Sequence, residues 1–231
     1  MKTSTIRRIH RWLGLIFSLS ILASSLSGVV HTLMAHKQPP PPAVKPSGHF
    51  LDPSGIRIGT AEAMKKLVAD FGQVGAINLR VIGGEPWYQI YGSAPVPAYV
   101  NSVDGRFDPS QDEKYGAEIA KGFLGGAKVQ KTDYLTSFNN EYVNIFRVLP
   151  VYRFDSSDGE GTRVYVSTTT GSVTRYTNDK MQFEANIFMN FHKFAFIPNR
   201  MARDIAMVTV TGGAALVALA GVFLFFYTRR R

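Results

Sequence analysis

The chain of 231 residues contains no cysteine, which excludes a disulfide framework, a thiol nucleophile and any metal site built from cysteine ligands. It also lacks three common site motifs: Gly-x-Gly-x-x-Gly after a predicted strand, a phosphate-binding loop and His-Glu-x-x-His. A self-contained dinucleotide or flavin enzyme and a zinc protease of that type are therefore not expected.

Charged residues are missing from two long stretches, Trp12 to Val30 and Ile205 to Thr228. About 20 apolar residues are enough for a helix to cross the hydrocarbon core of a bilayer, which is about 30 Å thick. The sequence therefore predicts two transmembrane helices, over residues 12–34 and 203–228. A cleaved signal peptide is the alternative for the first stretch, but the run is long for one and no small-x-small cleavage site follows it.

Positive charge is concentrated just outside the two predicted spans. The basic N-terminus, residues 1–11, carries four cations and the basic tail, residues 229–231, carries three, which leaves +2 of the formal net charge of +9 for the rest of the chain. Under the positive-inside rule both termini are cytoplasmic and the region between the spans lies across the membrane from them. Because the excess charge flanks the membrane, nucleic-acid binding is not expected.

Between the spans we expect a tether and one folded domain. Residues 35–49 include four consecutive prolines, which favour an extended, semi-rigid spacer. Residues 50–180 are typical of an α+β domain with two similar units, about 56–109 and 110–178, each an amphipathic helix followed by three antiparallel strands. The strands expected in the second unit are Val129–Ser137, Asn144–Phe154 and Arg163–Thr168.

A third apolar segment precedes the second span. Residues 181–198 include the short apolar stretch Phe188–Phe196 and end at Pro198. This pattern is typical of an amphipathic or re-entrant helix at the outer membrane interface.

Two segments beside the spans carry a resemblance to a known family. Arg7–Leu15, with the string His-Arg-Trp-Leu-Gly-Leu, and Phe191–Phe196 resemble the PepSY-associated transmembrane family, and the turn that closes each predicted unit resembles that of PepSY modules. The resemblance implies a bacterial inner-membrane protein with a periplasmic PepSY-like domain. Family members of known activity include haem-containing reductases of ferric iron or ferric siderophores, so it also implies that activity. Larger members have four or more spans, which implies a homodimer for a chain with two.

Two histidines fall at the outer interface, His31 at the end of the first span and His192 on the segment before the second. Ionisable side chains at membrane depth are costly and indicate a function by default. A b-type haem with two histidine ligands needs one imidazole on each side of the iron, and helix bundles supply such ligands from facing helices. We expect His31 and His192 to be the axial ligands of one haem, with hydrogen-bonded interfacial histidines as the alternative.

His10 belongs to another level of the membrane, because it lies 21 residues before His31, about 31 Å along a helix. It is a candidate ligand of a second haem or of a haem on a dimer axis, and an interfacial residue bound to lipid headgroups is the alternative. Lys193, Arg200 and Arg203 are candidate partners of haem propionates through charge-assisted bonds, with headgroups as the alternative.

Two further groups of polar residues carry weaker expectations. Asp112 with Glu113 and Asp158 with Glu160 flank predicted turns and are expected to be solvated. Seven tyrosines of the predicted domain are candidates for lining a site for a ferric complex, although alternating aromatic residues on strands more commonly serve sheet packing. They are Tyr88, Tyr91, Tyr99, Tyr134, Tyr142, Tyr152 and Tyr165.

The membrane topology and the placement of the histidines predict a membrane-anchored b-type haem protein. The resemblance implies that it lies in the inner membrane and transfers electrons to periplasmic ferric iron or a ferric siderophore. Because the sequence has no nicotinamide or flavin motif, the electron donor would be a quinol or a separate cytoplasmic reductase. Two alternatives stay open: a haem-free PepSY module that binds peptides or regulates envelope proteases, and an accessory subunit of a transporter or respiratory complex.

Overall fold

The computed structural model describes residues 3–37, 50–71, 73–146 and 148–229, so most of the expected tether lies outside the described residues. This part of the chain forms five α-helices: α1 (Thr3–Lys37), α2 (Thr60–Phe71), α3 (Gln111–Phe123), α4 (Asp179–Lys193) and α5 (Arg200–Arg229). It also forms seven strands: β1 (Ala76–Ile82), β2 (Glu85–Tyr91), β3 (Ala98–Asn101), β4 (Val129–Leu135), β5 (Val151–Ser156), β6 (Arg163–Ser167) and β7 (Ser172–Thr177). These elements divide into two compact units, one made of helices from both ends of the chain and one made of the central region.

Helices α1 and α5 are long and apolar enough to cross a membrane. Only 6% of the most apolar window of each is buried, so neither resembles the core helix of a soluble domain. The helix α1 continues three residues past the predicted end of the first span, and α5 begins three residues before the predicted start of the second. The chain thus fits a membrane protein with two spans.

The two long helices pack antiparallel through small residues. Gly14 of α1 faces Val217 of α5, and the ring of Phe17 lies so close to Gly213 that an added Cβ would collide with it. Nearer the ends of the helices, Gly221 faces the imidazole of His10. Glycine allows this close approach because it presents no side chain to the neighbouring helix.

The helix α4 begins two residues before the predicted start of the interfacial segment and ends five residues before its predicted end. The residue after it, Phe194, has φ of 49°, a left-handed conformation that stops an α-helix. The Ala195 amide then donates to the Met189 carbonyl, which closes the turn. A short connection therefore separates α4 from α5.

The central unit is an α+β domain in which a helix precedes an antiparallel sheet twice. The helix α2 precedes the three-stranded sheet β1-β2-β3, and α3 precedes the four-stranded sheet β4-β5-β6-β7. The fourth strand of the second sheet, β7, was not predicted. The strand expected from Asn144 begins only at Val151, because Asn144–Phe146 form a short 3-10 helix.

Each helix of the central unit buries apolar side chains against the sheet that follows it, and α3 also packs Tyr115 against Ile82, Trp87 and Tyr99 of the first sheet. Leu67 of α2 packs with Tyr88, Ile90 and Val100 of the first sheet. In the second sheet, Ala120 of α3 packs with apolar side chains of β5 and β6, Tyr152, Phe154, Val164 and Val166. The apolar positions that recur every 3.6 residues in the helices and every second residue in the strands are therefore buried in small clusters of the central unit.

Candidate functional site

The predicted ligand His31 lies on a seam where α1 packs antiparallel against α4. Its Nδ1 is hydrogen-bonded to the carboxylate of Glu184, a side chain that is only 9% exposed. Since the carboxylate accepts this bond, Nδ1 carries the proton, and Nε2 is the ring nitrogen left for another partner. The imidazole is 47% exposed.

The second predicted ligand, His192, lies on the same seam and is also held through Nδ1. That nitrogen is 3.1 Å from the Ser24 hydroxyl, 3.4 Å from the Ser24 carbonyl and 3.5 Å from the Ser27 hydroxyl. A carbonyl oxygen only accepts, so this contact favours a proton on Nδ1. Among the residues that the structure describes, Nε2 of neither histidine has a hydrogen-bond partner.

One aromatic ring connects the two histidines. The ring centroid of Phe188 is 4.8 Å from that of His31 and 4.6 Å from that of His192, with the second pair stacked at 14°. Glu184, Phe188 and His192 lie four residues apart along one face of α4, which explains why they meet α1 as a stripe. The structure therefore brings the two predicted ligands to one seam, with a phenyl ring in contact with both.

Of the three predicted basic partners of the haem propionates, Lys193 lies near this seam, and Arg200 and Arg203 lie at the start of α5. The Lys193 ammonium lies 5.7 Å from the Phe188 ring centroid. Arg200 is within 3.8 Å of Asp204 on its own helix. In the described part of the chain neither Arg200 nor Arg203 has a hydrogen bond or ion pair with either histidine.

His10 is separate from this seam and lies between α1 and α5. Its Nδ1 is buried and has no hydrogen-bond partner among the described residues. It borders a cavity of about 400 Å³ between the two spans.

Glu184, Phe188, Ser24 and Ser27 were not predicted as site residues. Ser24 and Ser27 are small residues of α1, and both contact the imidazole of His192. The four-residue spacing of a carboxylate, an aromatic ring and a histidine in α4 is the signal that was present in the sequence.

The central unit contains a buried carboxyl group where solvated carboxylates were expected. Asp112 is 1% exposed and accepts a hydrogen bond of 2.7 Å from the Tyr99 hydroxyl. Burial raises the pKa of Asp112, against the opposing effect of the hydrogen bond that Tyr99 donates, and the second carboxyl oxygen is buried without a partner among the described residues. The expectation of a solvated side chain was therefore wrong for Asp112, because the first turn of α3 places it against Tyr99 of β3, where it is buried.

The strand tyrosines are mostly packed inside the domain. Tyr99 also accepts a hydrogen bond of 2.6 Å from the buried Gln89 amide, and Tyr165 donates one of 2.5 Å to Glu141. Five of the seven tyrosines are less than 8% exposed: Tyr88, Tyr99, Tyr142, Tyr152 and Tyr165. These five belong to the packing of the two sheets and do not line an open site.

Comparison of the chain with protein-family models, with curated proteins and with solved structures finds no match.

Proposed function

We propose that this chain is an inner-membrane b-type haem protein that transfers electrons to periplasmic ferric iron or a ferric siderophore. The observation that carries the proposal is the pair His31 and His192, which come from two helices, share one seam and each keep Nε2 unpaired. Histidines that bind a metal typically donate their other ring N–H to a carboxylate, a carbonyl or water, as these two do.

The side chains on the seam fit a haem chemically. Two imidazoles that each keep Nε2 without a hydrogen-bond partner are the ligands that a low-spin b-type haem takes, and Lys193 is close enough to the seam to pair with a propionate. Phe188 is tilted against the His31 ring and stacked on the His192 ring, so a haem held by both histidines would displace it. Arg200 and Arg203 stay candidates for propionate contacts, as does His10 for a second haem or for one on a dimer axis.

When bound, the haem supplies one-electron transfer, and the protein supplies orientation and electrostatics. Glu184 fixes the tautomer of His31 and raises the basicity of Nε2 as an electron-pair ligand. A more basic ligand would stabilise the ferric form of the haem. Ser24 and Ser27 orient His192 in the same way. The electron donor in this proposal is a quinol or a cytoplasmic reductase, and the functional form is a homodimer.

The topology in this proposal follows from the basic flanks of the spans. Both termini are cytoplasmic, and the central α+β domain, proposed as PepSY-like, is periplasmic. The seam of α1 and α4 then lies at the periplasmic face, where a ferric complex has access to it.

The activity is tested by mixing the full-length, dithionite-reduced protein with ferric citrate or a ferric siderophore and following the haem α-band. Electron transfer to iron removes the reduced band in step with the formation of a ferrous chelate. A reduced band that persists in the presence of either complex, and disappears only with air, would rule out a ferric reductase.

A second function is supported by the way the seam packs without any cofactor. Glu184 already pairs with His31, and Phe188 already fills the contact between α1 and α4. A haem-free membrane-anchored module that binds peptides or regulates envelope proteases would use this seam only to join its helices. Such a protein would be colourless after purification and would stay so when haem is supplied. An accessory subunit of a transporter or respiratory complex would bind haem only with its partners.

A further inference from the structure

The cavity beside His10 is formed by the packing of the two long apolar helices. It has a volume of about 400 Å³, within the range of roughly 300–1,000 Å³ that is usual for small-molecule sites. Its walls are almost entirely apolar: Ile6, Ile9, Leu13 and Phe17 from α1 and Gly213, Leu216, Val217 and Ala220 from α5.

Two glycines of α5, Gly213 in the cavity wall and Gly221 beside His10, contact rings of α1. A Cβ at Gly221 would lie 3.3 Å from Cε1 of His10, and a Cβ at Gly213 would collide with the ring of Phe17. The imidazole and the phenyl ring therefore lie directly against the backbone of α5. Ile9 and Leu13, on the α1 side, are 47% and 41% exposed, so the cavity opens toward the lipid.

The single imidazole in this apolar cavity lacks a partner. Nδ1 of His10 is buried, and no described residue forms a hydrogen bond with it. An unpaired polar atom is costly in an apolar environment. A water molecule is not expected to pair with this nitrogen, because a buried water needs two to four polar partners and the cavity offers one imidazole. A lipid acyl chain would fill the space but leave the nitrogen unpaired.

We propose that this cavity binds the head group of a membrane quinone. A quinone has a flat apolar ring for the cavity walls, oxygens for the imidazole and an apolar tail that stays in the lipid. Imidazole both donates and accepts hydrogen bonds, so His10 pairs with the carbonyl of the quinone and with the hydroxyl of the quinol. Use of the quinol as electron donor rests on the proposed function, whereas binding of the quinone does not.

The test is a titration of the full-length protein in detergent with decylubiquinone, followed by quenching of tryptophan fluorescence. Trp12 is two residues after His10 on α1, so it does not line the cavity but lies near enough to it for a bound quinone to quench its fluorescence. The native protein should show saturable quenching. His10→Phe keeps a ring but loses the nitrogen and should weaken binding about tenfold or more, whereas His10→Gln should recover part of it.

A matched pair of glycine variants separates the cavity from general effects on the span. Gly221→Leu places a side chain against His10 and should abolish saturable quenching. Gly212→Leu adds the same side chain at a position where a Cβ meets nothing within 4 Å, and should bind as the native protein does. Gel filtration and circular dichroism verify that each variant is folded.

Three results would overturn the proposal. The first is quenching that does not saturate or is equal in all variants. The second is loss of a haem from the spectrum of His10→Phe, which assigns this histidine to iron. The third is a change in oligomeric state with Gly221→Leu while quinone binding is unchanged, which assigns the cavity to a second copy of the chain. A colourless protein that binds the quinone would contradict the proposed haem function and leave this site standing.

Discussion

Glu184 determines the orientation and the tautomer of the His31 imidazole. It is almost fully buried, lies one helical turn before Phe188 and is hydrogen-bonded to Nδ1 of the imidazole. A buried carboxylate with one histidine partner is costly to separate from that partner. This contact links the packing of α4 on α1 to the ligand chemistry proposed for His31.

Substitution Glu184→Gln tests that link. The amide still fills the space, but it no longer raises the basicity of the imidazole as an iron ligand. The affinity for haem should therefore fall about 10–100-fold. The measurement is a titration of haem into the haem-free protein, followed by absorbance of the Soret band. Asn190→Ala is the control, because Asn190 donates to the Asn186 carbonyl of its own helix. Equal titrations for the two variants would show that Glu184 does not support a ligand.

Asp112 is the second residue whose environment gives a testable consequence. Its folded pKa is raised above 3.8 by burial, so the folded state holds the proton over a range in which the unfolded state has lost it. The stability of the protein therefore falls as pH rises from 3.8 to the folded pKa of Asp112, and the penalty persists above it. Asp112→Asn removes this penalty and keeps an oxygen that accepts from Tyr99.

We expect Asp112→Asn to raise the melting temperature by a few degrees at pH 7, with the difference shrinking as pH approaches 3.8. Asp108→Asn is the matched control, and it should change the melting temperature in the opposite direction. The Lys114 ammonium lowers the pKa of Asp108 to about 2, so that pair contributes stability above pH 3.8 and loses it as pH falls through 2. Thermal melts from pH 4 to 8 measure both variants, and a lower melting temperature for Asp112→Asn at pH 7 would contradict the stated effect of burial.

At the scale of helices and strands, the sequence predicted those elements whose periodicity is strong. Both spans, the two amphipathic helices of the central unit and most strands follow the expected positions. The edge strand β7 was missed because Ser172, Thr174 and Thr177 make it polar and its residues are mostly half-buried. The start of β5 was misplaced because Pro150, which cannot donate to a ladder, directly precedes it.

The candidate site was predictable in part for the same reason. The positions of His31 and His192 at the outer ends of apolar segments could be read from the sequence. Their contacts with Glu184, Ser24 and Ser27 depend on the register between α1 and α4, which tertiary packing sets. Burial of Asp112 likewise depends on tyrosines that come from other strands.

Packing of α1 against α5 is tested by two adjacent glycines. Replacement of glycine by alanine in a helix favours the helix by up to about 1 kcal/mol, which applies equally to both positions. Gly213→Ala also collides with the ring of Phe17 and should be less stable than Gly212→Ala by about 1–3 kcal/mol. Thermal melts in one detergent compare the variants; equal melting temperatures would mean that Phe17 moves aside without cost.

For the whole molecule, the absence of cysteine makes the proposed topology simple to test. Single cysteines at Ser4 and at Phe50, both exposed, report on the N-terminus and on the start of the central domain. In spheroplasts a membrane-impermeant maleimide should label Phe50→Cys at once and Ser4→Cys only after lysis, because the cations beside the spans hold the termini inside. Labelling of Ser4→Cys in intact spheroplasts would reverse the topology.

The proposed homodimer has four spans, two from each chain. Each copy of the chain also has its own seam with two histidines. The haem content per chain, and its dependence on the seam, therefore tests the function of the whole assembly. Loss of one ligand should remove the low-spin spectrum, whereas a histidine outside the seam should not matter. His36 is exposed near the end of α1 and provides that control.

The most direct measurement is the visible spectrum of the purified full-length protein, oxidised and dithionite-reduced, for the native chain, His31→Ala, His192→Ala and His36→Ala. The proposal predicts a sharp reduced α-band of low-spin b-type haem in the native protein and His36→Ala, and its loss in both seam variants. A protein that is colourless even after haem is supplied, or a band unchanged in His31→Ala and His192→Ala, would contradict it.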